Sequence, residues 1–380
     1  MTNKDYREYC NLLHNTIIPS TITQEEMDMI LKPLNDWVDK HTPAQLYKFR
    51  ECNENNINAF RNQQIWFATG AKMNDDYDAI LYCDKNEILA ELNSLFDING
   101  TLIFLKALKE GDAIPERLYD LFGTKYIENA REIVKNADNK AINEMSLSIK
   151  TFMENGFKAQ FPFISHTPQN VVKISSFSEN ICSPLMWGHY ASNSSGFALA
   201  YDFREKHYNE CHNCPKLGVT CITPKFNRLL PIFYADKMFE ATDYARYLMQ
   251  DAFTRKFLFD LRVPEPLWQK VLASITCSDI FMQTKTVFHK FNKWNYEKEW
   301  RMTVSYNSNN YPYDQTANIW KKPCALYLGR KIKDSDELIL RNIAFKQKIP
   351  VFKMVIDDKS KDYRLKPIRQ KNTSKQLILK

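Results

Sequence analysis

Trp294-Asn295-Tyr296-Glu297-Lys298-Glu299-Trp300-Arg301 is the densest run of aromatic and charged side chains in the chain. If it leads into a strand, side chains alternate: Glu297, Glu299 and Arg301 share one face, and Trp300 turns to the other. If it is helical, Glu297 and Arg301 stand four residues apart and form an ion pair worth only about 0.3–0.5 kcal/mol. The strand reading turns the run into a chemical surface. One carboxylate can stabilise an oxocarbenium ion, the second can orient a nucleophile, and the guanidinium can hold either in place.

Working outward, strand character runs from Glu299 to Tyr306 and recurs at Leu46–Arg50, Ile65–Ala68, Val171–Ser178, Gly196–Asp202, Ala325–Gly329 and Val351–Ile356. Helical spacing dominates elsewhere. Residues 1–45 form a helical N-terminal extension, with Thr23 and Glu26 in a capping-box pattern and Pro33 and Pro43 as punctuation. Ile88, Leu89, Leu92, Leu95 and Phe96 begin a helical insertion over about 84–160. A second insertion, about 236–290, reads as two long amphipathic helices, Lys237–Arg262 and Glu265–Phe291, broken at Pro264 and Pro266. Strands at both ends with helices between them predict an α+β core over 46–358.

Composition narrows the chemistry. Nine glycines in 380 residues is about 2.4%, against a usual share of roughly 7%. None falls in a dinucleotide-binding or P-loop pattern, and neither H-E-x-x-H nor G-x-S-x-G occurs. The N-terminus lacks a signal peptide's apolar core, and no apolar run approaches the ~20 residues that span a bilayer. Nine scattered cysteines fit reduced thiols, so a cytoplasmic location without membrane association is expected. The net charge is +7, and residues 359–380 hold eight Lys or Arg and one acid. The rest of the chain therefore balances. This basic C-terminal tail reads either as a tether for a polyanion or as a solvated, frayed end.

Other clusters offer functional groups, each with a plainer structural use. Ser176 and Ser178 flank Phe177 on a strand, where hydroxyls can hold a ribose or phosphate, or simply end the strand. His189 and Tyr190 follow Gly188; the histidine suits acid–base work near neutral pH or a hydrogen-bonded core position. Arg50, closing the first strand, is a candidate pyrophosphate anchor. Asn74-Asp75-Asp76-Tyr77-Asp78 offers oxygens to a divalent cation but lacks EF-hand spacing, so it also reads as a polar turn. His207, Cys211, His212, Cys214 and Cys221 could close a zinc site, although their spacing matches no common module.

Several words occur in order: Tyr47-Lys48-Phe49-Arg50, Ile65-Trp66-Phe67, Met73-Asn74-Asp75, Ser176-Phe177-Ser178, Met186-Trp187-x-His189-Tyr190-Ala191, Gly196-Phe197, Tyr296-Glu297-x-Glu299-Trp300-Arg301 and Leu326-Tyr327-Leu328-Gly329. This string resembles the bacterial and phage domain-of-unknown-function family 2971 over roughly residues 46–365. Met73 and Asp76 depart from it, where relatives tend to carry Phe and Pro.

Arginine on the first strand, serines on a middle strand and then Glu-x-Glu also resemble the R-S-E layout of ADP-ribosyltransferases. That resemblance implies a split β-sheet core with large helical insertions and NAD as the substrate. In it Arg50, with Tyr47 and Tyr190, would bind the dinucleotide, and Ser176 or Ser178 would order the ribose. Glu299 would stabilise the oxocarbenium ion, Glu297 would position the acceptor, and His189 is a third catalytic candidate. Phe177 stands where a strict S-T-S motif has Thr. The acceptor would be a nucleic acid or a protein, and the role that of a toxin or antiphage effector, with a possible neutralising partner protein. Glu299→Gln would then abolish transfer without disturbing the fold. The mapping requires Arg50, Ser176 or Ser178, and Glu299 to line one cleft.

Two alternatives use the same residues differently. A metal-dependent nuclease would employ Asp75, Asp78, Glu297 and Glu299. A non-enzymatic module would bind nucleic acid or protein through the basic tail and surface aromatics.

Overall fold

The computed structural model describes residues 1–95, 98–114, 119, 124–204, 228–260, 272, 275–305 and 318–371. The possible zinc ligands His207, Cys211, His212, Cys214 and Cys221 lie outside these residues. The architecture is a mixed α+β arrangement around one large sheet.

Two helices open the chain, α1 (Asn3–Asn15) and α2 (Gln24–His41). Thr23 caps α2, and Glu26 returns the bond to its backbone N–H, so two otherwise orphaned donors are satisfied reciprocally. Pro33 does not punctuate this segment as expected; it sits inside α2. The chain then forms β1 (Leu46–Arg50), α3 (Glu54–Arg61), β2 (Gln64–Trp66) and β3 (Ala68–Thr69).

The helical region comprises α4 (Lys85–Leu95), α5 (Ile98–Glu110), α6 (Thr124–Val134) and the long α7 (Asn139–Ser165), which leads through α8 (Thr167–Val171) into β4 (Val172–Ser178). It has an apolar core of its own, in which Leu105, Leu108, Ile127, Val134 and Ile142 pack together.

After α9 (Pro184–Tyr190) and β5 (Phe197–Tyr201) come β6 (Arg228–Pro231), β7 (Phe233–Ala235) and α10 (Thr242–Asp260). The expected second long helix, Glu265–Phe291, does not form over its described part. Residues 282–287 make a short helix, α11, and His289–Phe291 make β8, which pairs parallel with β7. Periodicity misleads here because an aromatic, alternating stretch such as Phe288–Phe291 satisfies either period over so few residues.

The C-terminal part holds β9 (Glu299–Ser305), β10 (Asn318–Trp320), β11 (Ala325–Leu328), α12 (Asp334–Gln347), β12 (Val351–Ile356) and β13 (Leu365–Gln370). Strand β13 overturns the frayed reading of the basic tail as far as it is described, because Leu365–Gln370 pairs antiparallel with β12 along its whole length.

The sheet order is β13-β12-β11-β5-β1-β4-β9-β6, with β3 also pairing on β4. Register divides the side chains between two faces. Ser178 pairs with Glu299, Ser176 with Arg301 and Tyr47 with Ser178, so these residues share one face with Phe49. Leu46, Lys48, Arg50, Phe177, Leu199 and Trp300 take the other face. That second face carries much of the main core, in which Phe177, Phe197, Leu199 and Trp300 meet Tyr9, Leu34, Trp37 and Phe60 from α1–α3 and Leu340 and Ala344 from α12. On the first face, Trp187 of α9 covers Ala198, Ala200 and Tyr327 toward the β5–β11 side. Over β4 and β9 the same face is open, and the site lies there.

Candidate functional site

Glu297 does not belong to the strand. It ends a short 3-10 helix, Asn292–Glu297, and Lys298 then adopts a left-handed backbone (φ 46°) before β9 begins at Glu299. The Lys298 turn re-aims the chain so that Glu297 meets Glu299 and Arg301 from outside the sheet. The expected convergence of the three side chains is real, but a backbone kink achieves part of it.

Arg301 lies at the bottom with no solvent exposure. Its Nη1 and Nη2 donate to the two oxygens of Asp78 at 2.6 and 2.5 Å. Its Nε donates to Glu299 Oε1 at 2.6 Å, and Nη1 also reaches the main-chain oxygen of Val287 at 2.6 Å. Lys290, from β8, donates to Glu297 Oε2 at 2.8 Å and Glu299 Oε2 at 3.3 Å, and stands 3.7 Å from Asp78 Oδ2. Three carboxylates and two cations thus form one buried network in which forked, charge-assisted bonds offset desolvation. Asp78 enters from the loop after β3, which ties that loop to the sheet.

The two glutamates experience opposite environments. Burial pushes the Glu297 carboxyl above its usual range, and the neighbouring Glu299 charge adds to this; Lys290 and the Tyr190 hydroxyl only partly offset them. Burial also acts on Glu299, but Arg301 and Lys290 outweigh it and hold that carboxyl well below the usual range. Asp78 and Glu299 in turn raise Arg301 despite its burial. The Tyr190 hydroxyl donates to Glu297 Oε1 and accepts from Asn74 Nδ2 at 2.9 Å, and burial and Glu297 together keep the phenol protonated.

Above this floor opens a cleft of about 250 Å³, walled by Tyr47, Phe49, Trp66, Met73 and Met186. Trp66 is 38% exposed at the rim. Ser176 and Ser178 also line the cleft. The Ser178 hydroxyl donates to the main-chain oxygen of Glu297 and accepts from the Asn180 N–H at 3.0 Å, which is the strand-ending role. The Ser176 hydroxyl helps to lower the Glu299 pKa and so is the serine nearer the charge network.

Two predicted site residues fall elsewhere. His189 is exposed on α9, with its ring 6.1 Å from that of Tyr296, and does not line the cleft. Helical periodicity is the reason: Met186 and Tyr190, four apart, face the cleft, and position 189 does not. Arg50 is buried on the opposite face of β1. Its Nη1 donates to Asn56 Oδ1 at 2.7 Å, while Nε and Nη2 have no hydrogen-bond partner. Alternation along a five-residue strand sends Tyr47 and Phe49 toward the cleft and Arg50 to the opposite face. The requirement that Arg50, the serines and Glu299 line one cleft is therefore not met.

Lys290 leaves little trace in the sequence, because its surroundings carry the apolar spacing expected of a helix although they form β8. Its only local signal is the alternation of His289, Lys290 and Phe291. Among the described residues no group of three or more His, Cys, Asp or Glu is placed to hold a metal ion. Asp75 lines a neighbouring cavity, whereas Asp78 is committed to Arg301. The described cysteines 10, 52, 83, 182, 277 and 324 are free thiols. No described helix is long and apolar enough to cross a membrane.

The geometry of Tyr190, Lys290, Glu297, Glu299 and Arg301 coincides with a family match. Residues 186–302 match the family model described as protein of unknown function (DUF2971). The DUF2971 match is shorter than the span suggested by the sequence words. It takes in those five residues and leaves Arg50, Asp78, Ser176 and Ser178 outside. No curated protein and no solved structure matches the chain.

Proposed function

We propose that the cleft is the active site of an enzyme that breaks the N-glycosidic bond of a nucleotide and passes the sugar to an acceptor, with NAD as the donor. The reading rests on one observation: two carboxylates that share the Lys290 ammonium are driven in opposite protonation directions at the floor of an aromatic-walled cleft. Such a divergence is how neighbouring acids acquire different catalytic roles.

In this reading the C1′–N bond breaks with its electron pair leaving on nicotinamide, which departs neutral. The fixed negative charge of Glu299 faces the cation that develops at C1′. Glu297, a stronger base than an ordinary glutamate because its pKa is raised, accepts the acceptor's proton as the new bond to C1′ forms. The Ser176 hydroxyl lies where it can bond a ribose hydroxyl, and Trp66 with Tyr47 offers flat apolar surface to a ring. Arg50, on the opposite face of β1, takes no part in this reading.

The test is nicotinamide release from NAD by wild type and Glu297→Gln, with and without added protein and nucleic-acid acceptors. Glu297→Gln is expected to lower the rate about 10²–10⁴-fold; because it also loses the buried Lys290 ion pair, circular dichroism at the assay temperature checks that the variant is folded. Equal rates, or no release by folded wild type under any condition, would overturn the reading. Glu299→Gln is the poorer probe, because it removes a buried charge bound to both Arg301 and Lys290 and so disturbs the fold.

One observation favours a second reading. Asp78 and Glu299 have both oxygens engaged by Arg301 or Lys290, as a purely structural network would require. A binding module built on that network would retain ligand binding in Glu297→Gln and release no nicotinamide.

A further inference from the structure

The rings that the cleft does not use form a ledge beside it. His189 faces away from the cleft on α9, yet its ring lies 6.3 Å from that of Tyr190, which lines the cleft. On its other side the Tyr296 ring is 6.1 Å away, and the Trp294 ring follows 6.1 Å beyond that. Successive planes from His189 to Trp294 tilt by 37° and 36°, so the rings make a shallow, faceted run. His189 is exposed, and Tyr296 and Trp294 are half-buried.

The ledge is held in place from beneath. The Tyr190 hydroxyl donates to Glu297, which joins α9 to the 3-10 helix Asn292–Glu297 and sets His189 beside Tyr296. The Ser178 hydroxyl fixes the main-chain oxygen of Glu297, and Lys290 Nζ sits 4.8 Å from the centre of the Trp294 ring. Rings already set in this way lose little freedom when a flat partner arrives. The free charge on the ledge has one sign. In residues 183–196 and 291–298, which carry the rings, the one acid is Glu297, and it is buried and paired with Lys290. Lys293 and Lys298 are exposed and have no ion-pair partner among the described residues.

Aromatic rings beside unspent cations match a polymer in which flat bases alternate with phosphates. We infer that this ledge binds single-stranded nucleic acid, with bases against His189 and Tyr296 and phosphates at Lys293 and Lys298. A duplex keeps its base faces stacked inside. An acidic peptide would satisfy the lysines and leave the rings without a flat partner. Tyr190 and Glu297 directly follow His189 and Tyr296 in the chain, so the inner end of the ledge meets the cleft on its Glu297 side. Under the glycosyl-transfer reading, on which this one step rests, a strand lying there is the acceptor that loses its proton to Glu297. Binding of the strand does not depend on that reading.

Fluorescence anisotropy of the full chain with short labelled DNA and RNA strands of mixed sequence, the matching DNA duplex and an oligo-glutamate peptide tests it. Saturable binding of a single strand is expected, tighter than that of the duplex or the peptide. His189→Ala combined with Tyr296→Ala should weaken it about tenfold or more, while His189→Phe, which keeps a flat ring, should bind like wild type. Lys293→Gln combined with Lys298→Gln should reduce the steepness of log K against log salt by about 1.4. Arg369→Gln combined with Lys371→Gln, at the end of β13, should leave the strand bound as in wild type. Unfolding midpoints check that each variant is folded. Peptide or duplex binding as tight as that of the single strands, a folded double-alanine variant that binds like wild type, binding that falls only with the β13 pair, or no saturation would overturn the inference. Strand binding that depends on the rings, with no nicotinamide release under any condition, would support the ledge and count against the glycosyl-transfer reading alone.

Discussion

The two faces of the strand pair β1–β4 handle buried charge in opposite ways. On the cleft face, Asp78, Glu297, Glu299, Lys290 and Arg301 are all buried and all paired with one another. On the other face, Lys48 and Arg50 stand two residues apart against an apolar core, with no carboxylate within ion-pair distance among the described residues. Lys48 makes do with Ser175 Oγ at 2.8 Å, the main-chain oxygen of Ser176 at 3.1 Å and the ring of Phe177. The contrast shows that burial by itself does not signal function. Paired charges keep their ionised forms and can be set against one another, whereas an unpaired cation drifts toward neutrality. Burial, with Arg50 adding to it, lowers the Lys48 pKa to about 7.

The sharpest way to break this comparison is to remove Arg301. Arg301→Met strands Asp78 and Glu299 as buried anions, and urea denaturation should show a loss of about 3–5 kcal/mol. The same change on the other face, Arg50→Met, removes a charge that nothing neutralises and should be neutral or stabilising. If the two variants lose equal stability, the distinction between the faces fails.

Lys48 gives a milder test with a definite sign. Its folded pKa of about 7 lies below the ordinary 10.5, so between those values the unfolded chain binds more protons. Stability should therefore rise as pH increases from about 7 to about 10.5. Lys48→Met should be more stable than wild type at pH 7 and should lose that part of the slope. An unchanged pH profile in the variant would mean that Lys48 is not the group responsible.

Tyr190→Phe is the finest probe. The hydroxyl helps to hold Glu297 ionised, so its loss raises the Glu297 pKa further. The acid limb of the pH–rate profile, where activity falls as Glu297 takes up its proton, should move to higher pH, with little change in rate on the alkaline side. A uniform loss at every pH would instead mean that Tyr190 touches the substrate.

Much of this could be read from the sequence where alternation was unambiguous. Period-two patterns mark Leu46–Arg50, Val172–Ser178 and Glu299–Ser305 as strands and put Ser176 with Ser178, and Glu299 with Arg301, on one face of their own strand; the pairing that brings the two sets together is seen only in the structure. The same rule, applied to Arg50, would have placed it opposite Tyr47; the resemblance to a known layout overrode the pleat. Glu297 does meet Glu299 and Arg301, but through a left-handed Lys298 that no sequence rule foresees. Asp78 was visible as an acid in a polar turn, but its ion pair with Arg301 spans 223 residues and leaves no local trace. His189 was misplaced because a one-residue offset on a seven-residue helix decides which way a ring faces.

The outermost strands carry a further consequence. At one edge β13 reads Leu-Lys-Pro-Ile-Arg-Gln, and at the other β6 ends in Pro231. Proline cannot donate to a ladder, and Arg369 places a charge where a second chain would have to dock, while Lys366 is paired with Asp357 and Asp358. Among the described residues the sheet thus ends at β13 in a strand poorly suited to template another, which guards that edge against edge-to-edge aggregation.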